Sequence, residues 1–348
     1  MNGLGILLIR ADANTIIGVG HIMRCLALAQ VWKEKGGAVV LALAASNKAL
    51  ESRFEAEGLE LEVLSVEAGS EADALATVDL ARKRQVCWTV LDGYYFDENY
   101  QKVIFASTFR VLILSDYLHA TRFYGTILLN QNLHASFDEY TRAAPGLKLL
   151  LGNRFTLLRR EFWAWRGKRQ KHSGAVRRVM VTLGGGDTDN VTAKILKGLE
   201  ELVDFGFEVI AVVGANNPHW KMLESLQQKA AISIRLERNL SDMTPLMSAC
   251  DLAICGGGAT CWEMIFFGIP ILTVILAANQ QPIAESLDAA GVALNLGWHD
   301  QLESAEVAAG VRKLAGDASC LQRMSQQGQA LIDGRGVERV FNEMIVFQ

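Results

Sequence analysis

The chain has 348 residues, of which 50% are hydrophobic and 21% are charged, and its formal net charge at pH 7 is −4. This length favours two domains of ordinary size, each with a substantial apolar core. The acidic balance argues against a nucleic-acid binder, whose surface would be basic. The apolar stretches are too short for a transmembrane span or a signal peptide, so we expect a cytoplasmic protein without a membrane partner.

The N-terminal region predicts a strand, a long loop, a helix and a second strand. The apolar run Leu4–Ile9 predicts a buried strand, and Ile22–Trp32 repeats apolar residues at the spacing of one helical face. Glycines at 36 and 37 end that helix, and Ala38–Ala44 predicts the next strand. Ligands of such βαβ units bind beyond the carboxyl ends of the strands, so the long loop should face a ligand.

This loop and the first turn of its helix combine flexible glycines, a histidine and two flanking arginines. The residues concerned are Arg10, Asp12, Gly18, Gly20, His21 and Arg24. Such a set predicts a site for chemistry on an anionic substrate. Histidine can accept a proton from water near neutral pH, which makes His21 a candidate general base. The alternative is a buried or capping histidine.

Strands and helices continue to alternate through the first half, which predicts one parallel, doubly wound sheet in a domain over residues 1–165. The strand Val86–Leu91 ends in Asp92-Gly-Tyr94-Tyr95, which forms a second site candidate at the binding edge. Tyr94 could alternatively be a core aromatic residue. Two later strands end in Ser115-Asp116 and in Asn130-Gln-Asn132.

A basic, polar segment at residues 166–176 predicts a linker with a solvated surface, and the alternation restarts in a second α/β domain over residues 177–348. Two glycine-rich turns there join a strand to a helix: Gly184-Gly185-Gly186 and Gly256-Gly-Gly258-Ala259-Thr260. Small residues let a phosphate approach the backbone, and the amides of the helix N-terminus face it. Neither turn fits a dinucleotide fingerprint or a P-loop.

Further residues of the second half fit a nucleotide site, each with a simpler alternative. Glu263 lies one turn after Thr260 and could accept hydrogen bonds from both hydroxyls of a ribose. The alternative is an ordinary helical glutamate. Asn279 and Gln280 open a helix, where Asn279 could simply be a cap. The six cysteines form no CxxC pair, so we expect small buried residues and no metal.

These motifs together resemble the pseudaminic-acid pathway hydrolases that act on UDP-2,4-diacetamido-2,4,6-trideoxy-β-L-altropyranose, and their relatives in spore-coat polysaccharide synthesis. The resemblance begins with Arg10-x-Asp12, Gly18-x-Gly20-His21-x-x-Arg24-Cys25 and Leu26-Ala-Leu-Ala29. Further matches follow in order: Leu91-Asp-Gly-Tyr94, Asn130-Gln-Asn132, Leu151-Gly152, Leu157-Leu-Arg159-x-Glu161-Phe162, Gly184-Gly-Gly-Asp187, Gly258–Glu263 and Asn279-Gln280. The second half also resembles the UDP-binding domain of the peptidoglycan N-acetylglucosaminyl transferase.

The resemblance implies two Rossmann-like domains facing across a cleft, as in GT-B enzymes. It also implies hydrolysis of the UDP-linked sugar without cofactor or metal: water attacks the anomeric carbon, the C–O bond breaks with inversion, and UDP leaves. The free sugar would enter the synthesis of a nonulosonic acid such as pseudaminic acid, for flagellin or a surface glycan.

The resemblance also implies a role for each matched residue. His21 would deprotonate the water, and Glu263 would hold the ribose. Residues implied to hold the substrate are Arg10, Asp12, Gly20, Arg24, Asp92, Tyr94, Asn130, Asn279 and Gln280. UDP would lie on Gly184, Gly185, Gly186, Gly258, Ala259 and Thr260.

Several alternatives remain open at this point. The family often has Asp-Asp where this chain has Ser115-Asp116, so no role is assigned to that pair. A GT-B glycosyltransferase would use His21 to activate an acceptor hydroxyl instead of water. A nucleotide-sugar binding protein without activity is the third class. The sugar's stereochemistry is left open, and a monomer is allowed for.

Overall fold

The computed structural model of the chain describes residues 4–12, 20–108, 110–185, 187–214, 217–238 and 240–347. The strands, in chain order, are β1 Ile6–Ala11, β2 Ala38–Leu43, β3 Glu60–Val63, β4 Val86–Asp92, β5 Val111–Leu114, β6 Ile127–Asn130, β7 Lys148–Leu151, β8 Arg178–Thr182, β9 Glu208–Val213, β10 Ser233–Arg238, β11 Leu252–Gly256, β12 Ile271–Ile275 and β13 Ala293–Trp298.

The α-helices are α1 Gly20–Glu34, α2 Lys48–Ala56, α3 Glu71–Lys83, α4 Glu98–Thr108, α5 Phe137–Ala143, α6 Arg160–Trp163, α7 Val191–Glu200, α8 Trp220–Lys229, α9 Thr244–Met247, α10 Ala259–Phe267, α11 Gln281–Ala289, α12 Ser304–Ala315, α13 Ala318–Leu331 and α14 Gly336–Val346. Short 3₁₀ turns cover Asn153–Phe155, Val203–Phe205 and Ala278–Gln280. Among the described helices, none combines the length and apolar character needed to cross a membrane.

The chain divides into two compact units, residues 1–160 with 334–348, and residues 161–333. The first unit is built on a seven-stranded parallel sheet in the order β3-β2-β1-β4-β5-β6-β7. Its central strands are buried on both faces, which is why they are continuous apolar runs in the sequence. The strand order reverses between β1 and β4, which pair in register from Leu7 opposite Trp88 to Ala11 opposite Asp92. Ligands of doubly wound sheets bind at such a reversal.

The second unit repeats this plan with a six-stranded parallel sheet in the order β10-β9-β8-β11-β12-β13. The order reverses between β8 and β11, where Thr182 lies opposite Cys255. The two glycine-rich turns follow these two strands, so the turns lie side by side at the carboxyl edge of the sheet. Alternate aliphatic side chains of the strands, including Val181 and Ile254, pack with helix residues such as Leu196 to form a core on one face of the sheet.

The unit boundaries differ from the sequence prediction at both ends of the second domain. Residues 161–176 belong to the second unit, and within the predicted linker Arg169 donates from Nη1 to three backbone carbonyls, those of Phe266, Gln329 and Ile332. Helix α14 belongs to the first unit, where Phe341 packs on Trp32 of α1 with ring centroids 5.7 Å apart. An apolar stripe shows that a helix packs, but not which sheet it packs on.

Candidate active site

The β1–β4 edge of the first unit brings together the residues of the two N-terminal site candidates. His21 lies in the first turn of α1 and is 7% exposed, and Asp92 is the last residue of β4 and fully buried. His21 Nδ1 is 2.6 Å from Asp92 Oδ1. A carboxylate in this position accepts a hydrogen bond from Nδ1–H and fixes the ring tautomer, so that Nε2 carries the lone pair.

Nε2 of His21 is therefore the atom that can accept a proton. Among the residues that the structure describes, none hydrogen-bonds to this nitrogen. The Tyr94 ring meets the imidazole edge to face, with ring centroids 4.8 Å apart and an interplanar angle of 82°. This contact restricts the rotation of the imidazole and leaves a single orientation for Nε2.

Arg24, one turn after His21, hydrogen-bonds to two carboxylates of the site. Its Nε and Nη2 atoms each donate to Asp92 at 2.6 Å, and its Nη1 donates to Asp116 at 2.6 Å. Burial alone would lower the pKa of Arg24, but Asp116 and Asp92 outweigh it and raise this pKa well above its usual value. Burial opposes ionisation of Asp92 as well, yet Arg24 and His21 hold the pKa of this carboxyl below its usual range.

Asp116, to which the sequence assigned no role, accepts three hydrogen bonds at the end of β5. Besides Arg24, its donors are the Tyr94 hydroxyl at 2.6 Å and the Asn132 Nδ2 at 2.8 Å. Despite the opposing effect of burial, Arg24 and His21 hold the pKa of Asp116 far below its usual range. The signal available in the sequence was its place after a strand next to β4. Its partners, 16 and 92 residues away, could not be inferred without the sheet order.

Arg10 and Asp12 belong to a second buried network beside the first. The guanidinium of Arg10 is completely buried, with Nε and Nη2 on the two oxygens of Asp73 and Nη1 on Asp12 at 2.6 Å. Asp12 also accepts from the Tyr95 hydroxyl at 2.6 Å and from the Ala44 amide at 2.7 Å. All three guanidinium nitrogens of Arg10 therefore face protein groups, and a substrate contact for Arg10 stays a prediction. Tyr95 belonged to the second site candidate of the sequence, whereas Asp73 was not singled out.

Asn130, the last residue of β6, is also engaged within the protein. Its Nδ2 donates to the Tyr140 hydroxyl at 2.7 Å, and its Oδ1 accepts from the Asn132 amide at 2.9 Å. Only 1% of the residue is exposed. In this structure Asn130 shapes the loop that presents Asn132 to Asp116, and its predicted contact with substrate is untested.

In the second unit, the two glycine-rich turns differ at the start of the helix that follows. Gly184 has a left-handed backbone (φ 90°), Gly185 follows it, and Gly186 lies outside the described residues. The carboxylate of Asp187 accepts from the amides of Val191 at 2.7 Å and Thr192 at 3.0 Å. The first amides of α7 are thus already paired with a carboxylate of the protein, in the position an anion would take.

The second turn leaves its helix without a side-chain cap. Gly258 is the N-cap residue of α10, no side-chain hydrogen bond is made there, and Ala259 and Thr260 form the first turn. Gln280 packs against this turn, 3.0 Å from where a Cβ on Gly257 would lie, and accepts from the Leu276 amide at 3.1 Å. Glu263 is a half-buried residue of α10, and Asn279 is a half-buried residue of the 3₁₀ turn before α11.

The cysteines are free thiols, and four of the six are buried. Cys255 and Cys261 lie next to this second turn with their sulfur atoms 3.7 Å apart, and the Cys261 thiol donates to the Gly256 carbonyl at 3.2 Å. Its hydrogen bond with Cys255, together with burial, raises the pKa of Cys261 well above its usual value, so its thiol stays protonated. Within the described ranges, no group of three or more His, Cys, Asp or Glu residues is arranged to hold a metal ion.

Comparison with known proteins gives a family match in the second unit and distant relatives among curated proteins. Residues 178–339 match the family described as Glycosyltransferase family 28 C-terminal domain. An uncharacterised protein of Methanocaldococcus jannaschii is 23% identical over 77% of this chain and 55% of its own length. The spore coat polysaccharide biosynthesis protein SpsG of Bacillus subtilis is 26% identical over 47% of this chain and 48% of its own length. The chain spans about half the length of these curated relatives.

Solved structures extend the likeness to both units. MurG of Acinetobacter baumannii superposes with a TM-score of 0.69 over 98% of this chain and 99% of that chain, at 14% identity. The Anabaena protein HepE, solved in complex with UDP-glucose, superposes with a TM-score of 0.62 over 98% of this chain and 99% of that chain, also at 14% identity. These likenesses define the class by fold: the chain has the two parallel-sheet α/β units of GT-B glycosyltransferases. The predicted fold class is confirmed.

Proposed function

We propose that this protein hydrolyses a UDP-linked 2,4-diacetamido-2,4,6-trideoxy sugar to the free sugar and UDP, in the synthesis of a nonulosonic acid such as pseudaminic acid. The observation that carries the proposal is the pair of His21 and Asp92, joined at 2.6 Å with Nε2 left to accept a proton. The motif resemblance, which extends from Arg10 to Gln280, supports hydrolysis as the reaction.

In the proposed reaction, His21 Nε2 takes a proton from a water molecule while the water oxygen attacks the anomeric carbon. The new C–O bond forms on the face opposite UDP, the old C–O bond breaks, and its electron pair leaves with the UDP oxygen. Configuration at the carbon inverts. The imidazolium formed at His21 is stabilised by Asp92, since two carboxylates share only one guanidinium in this cluster.

We assign UDP to the second unit and the sugar to the first. The uncapped start of α10, with Gly258, Ala259 and Thr260, supports a seat for the diphosphate, because free helix amides stabilise negative charge. Glu263 then holds the ribose, and Asn279 and Gln280 hold the sugar or the diphosphate. The match to the family 28 C-terminal domain and the likeness to a protein solved with UDP-glucose support this assignment. The loop at Gly184 contributes through its backbone, since Asp187 occupies the start of α7.

A glycosyltransferase that uses a UDP-sugar donor is the second candidate, and the comparisons favour it more directly than hydrolysis. The matched family is named for glycosyltransferases, and the GT-B fold is theirs. In this case His21 would deprotonate an acceptor hydroxyl instead of water, with the same pairing to Asp92. The residues around His21 are compatible with both acceptors.

Incubation with UDP-diacetamido sugars in oxygen-18 water, without any acceptor, distinguishes the two. For a hydrolase we expect free sugar at enzymatic rates with the label in the sugar, and dependence on an added acceptor would instead establish the transferase. The variant His21→Gln should bind UDP as the wild type does and should lose activity by about 10²–10⁴-fold, the usual contribution of a general base. Wild-type turnover by folded His21→Gln would remove the assignment of His21.

A further inference from the structure

Asp116 lies where the loop after β5 meets the β1–β4 edge, and it is held from several sides. Its side chain accepts from Arg24, Tyr94 and Asn132, and its backbone carbonyl is 2.9 Å from His134 Nε2. Only 7% of the residue is exposed, and Asn132 is completely buried. The carboxylate is therefore fixed in place before any ligand arrives.

The three hydrogen bonds to this carboxylate involve two neighbours of His21. Arg24 places Nε and Nη2 on Asp92 and uses its remaining nitrogen, Nη1, on Asp116. Tyr94 donates its hydroxyl to Asp116 at 2.6 Å, while the edge of its ring contacts the imidazole of His21. Asp116 thus sets the tilt of the guanidinium that orients Asp92, and the tilt of the ring that confines His21.

We infer that Asp116 is a positioning residue that holds His21 in its reactive orientation through Arg24 and Tyr94. This inference rests on the proposed function of His21 as the base. Asp116 itself touches neither the imidazole nor, in this assignment, the reacting atoms. It acts by geometry, because a displacement of about 1 Å at a reacting group can cost roughly a hundredfold in rate.

The charge of Asp116 also acts on the imidazolium that the proposed reaction forms at His21. Among the described residues, the charged and titratable groups beside His21 are Asp92 from β4, Arg24 from α1, Asp116 from the loop after β5 and the Tyr94 phenol. Two carboxylates and one guanidinium leave one net negative charge, which stabilises the imidazolium as it forms. Removal of one carboxylate cancels this excess, so loss of the Asp116 charge should lower kcat with little change in KM.

Asp116→Asn tests the inference, because it keeps the shape and removes the charge and one acceptor. We expect a folded protein with kcat lowered about tenfold or more and a KM for the UDP sugar within about threefold of wild type. A purely structural role would lower the fraction of active protein, counted by UDP binding, and leave the turnover of each active molecule at the wild-type value. The control is Asp79→Asn on the exposed face of α3, which removes one charge from the same unit.

A second variant covers the case in which Asp116→Asn does not fold. Tyr94→Phe breaks the same hydrogen bond from the other side and keeps the ring, so kcat should again fall while KM changes little. In the double variant the two reductions in kcat should not add, since each single variant already removes the Tyr94–Asp116 hydrogen bond. A wild-type kcat in Tyr94→Phe, or additive losses, would overturn the inference.

The His21→Gln variant separates this inference from the proposed function. If His21→Gln is inactive but Asp116→Asn has wild-type kcat, the positioning role is wrong and the base stands. If His21→Gln retains full activity, the proposed function fails and the inference falls with it.

Discussion

At the scale of single residues, the arrangement of buried charge follows from how each arginine divides its donors. Arg24 shares its guanidinium between two carboxylates next to His21, whereas Arg10 gives a two-pronged contact to Asp73 and its third nitrogen to Asp12. Arginine suits such positions because its donors form a rigid planar fork. The first arrangement leaves an imidazole nitrogen without a described partner, and the second engages all three guanidinium nitrogens of Arg10.

Asp73 is the residue on which the second network depends. It accepts from Arg10 twice, from the Gly69 amide at 2.8 Å, and from the Tyr100 and Thr77 hydroxyls at 3.1 and 3.2 Å. Asp73→Ala would leave the buried Arg10 charge with Asp12 alone. We expect a loss of about 3–5 kcal/mol in the free energy of unfolding, as for a broken buried ion pair.

Urea denaturation measures this loss, and α3 itself provides the control. Asp79 is exposed on the same helix, so Asp79→Ala should change the free energy of unfolding by no more than about 0.5 kcal/mol. Equal effects of the two variants would show that Asp73 contributes only as a helical residue.

At the scale of elements, the two glycine-rich turns are equivalent in the sequence but not in the structure. Asp187 satisfies the first amides of α7, while α10 follows Gly258, an N-cap residue without a side-chain hydrogen bond. An unsatisfied helix start carries partial positive charge that an anion can neutralise. The turn before α10 is therefore a better candidate binding site for a diphosphate than the turn before α7.

Two neighbouring glycines of that turn provide a pair of variants that tests the proposed phosphate-binding site. A Cβ on Gly258 would have its nearest neighbour at 4.0 Å, so Gly258→Ala should fold normally and yet crowd the approach of a phosphate. We expect UDP affinity, measured by calorimetry, to fall about tenfold because charge-assisted amide contacts contribute roughly 1–3 kcal/mol. On Gly257 the Cβ would meet the Gln280 carbonyl at 3.0 Å, so Gly257→Ala should lower the melting temperature as well. Unchanged UDP affinity in Gly258→Ala would show that the diphosphate does not bind at this turn.

At the scale of the whole molecule, both sheets reverse their strand order once, and each reversal carries a candidate site. In the first unit His21 and Asp92 follow β1 and β4, and in the second unit the glycine-rich turns follow β8 and β11. The candidate edge for proton transfer and the candidate edge for anion binding thus belong to different sheets. This division supports the assignment of sugar and UDP to different units.

The buried carboxylates of the first site also predict how global stability depends on pH. The folded-state pKa values of Asp92 and Asp116 are lowered, so the unfolded chain binds more protons as the pH falls. Their stabilising contribution should be fully present above about pH 4, the ordinary carboxyl value, and should be lost as the pH falls through the folded-state values. Urea midpoints measured from pH 6 to pH 3 should fall less steeply for Asp116→Asn than for wild type. A parallel slope would contradict this account.

The sequence by itself determined the fold class, the place of His21 at the start of a helix and the two glycine-rich turns. This was possible because strands buried on both faces are continuous apolar runs, and the turns that follow them carry the ligand groups. These signals are local in the chain.

Only the tertiary structure decided which charged groups meet. Arg24 contacts carboxylates 68 and 92 residues away, and Arg10 pairs with a carboxylate 63 residues away. These contacts depend on strand order and on register, which no spacing in the sequence encodes. For the same reason Asp116 had no assigned role, and α14 was placed in the second domain although it packs on α1 of the first unit. Burial then converts these contacts into fixed orientations, because a buried charge must keep its partners.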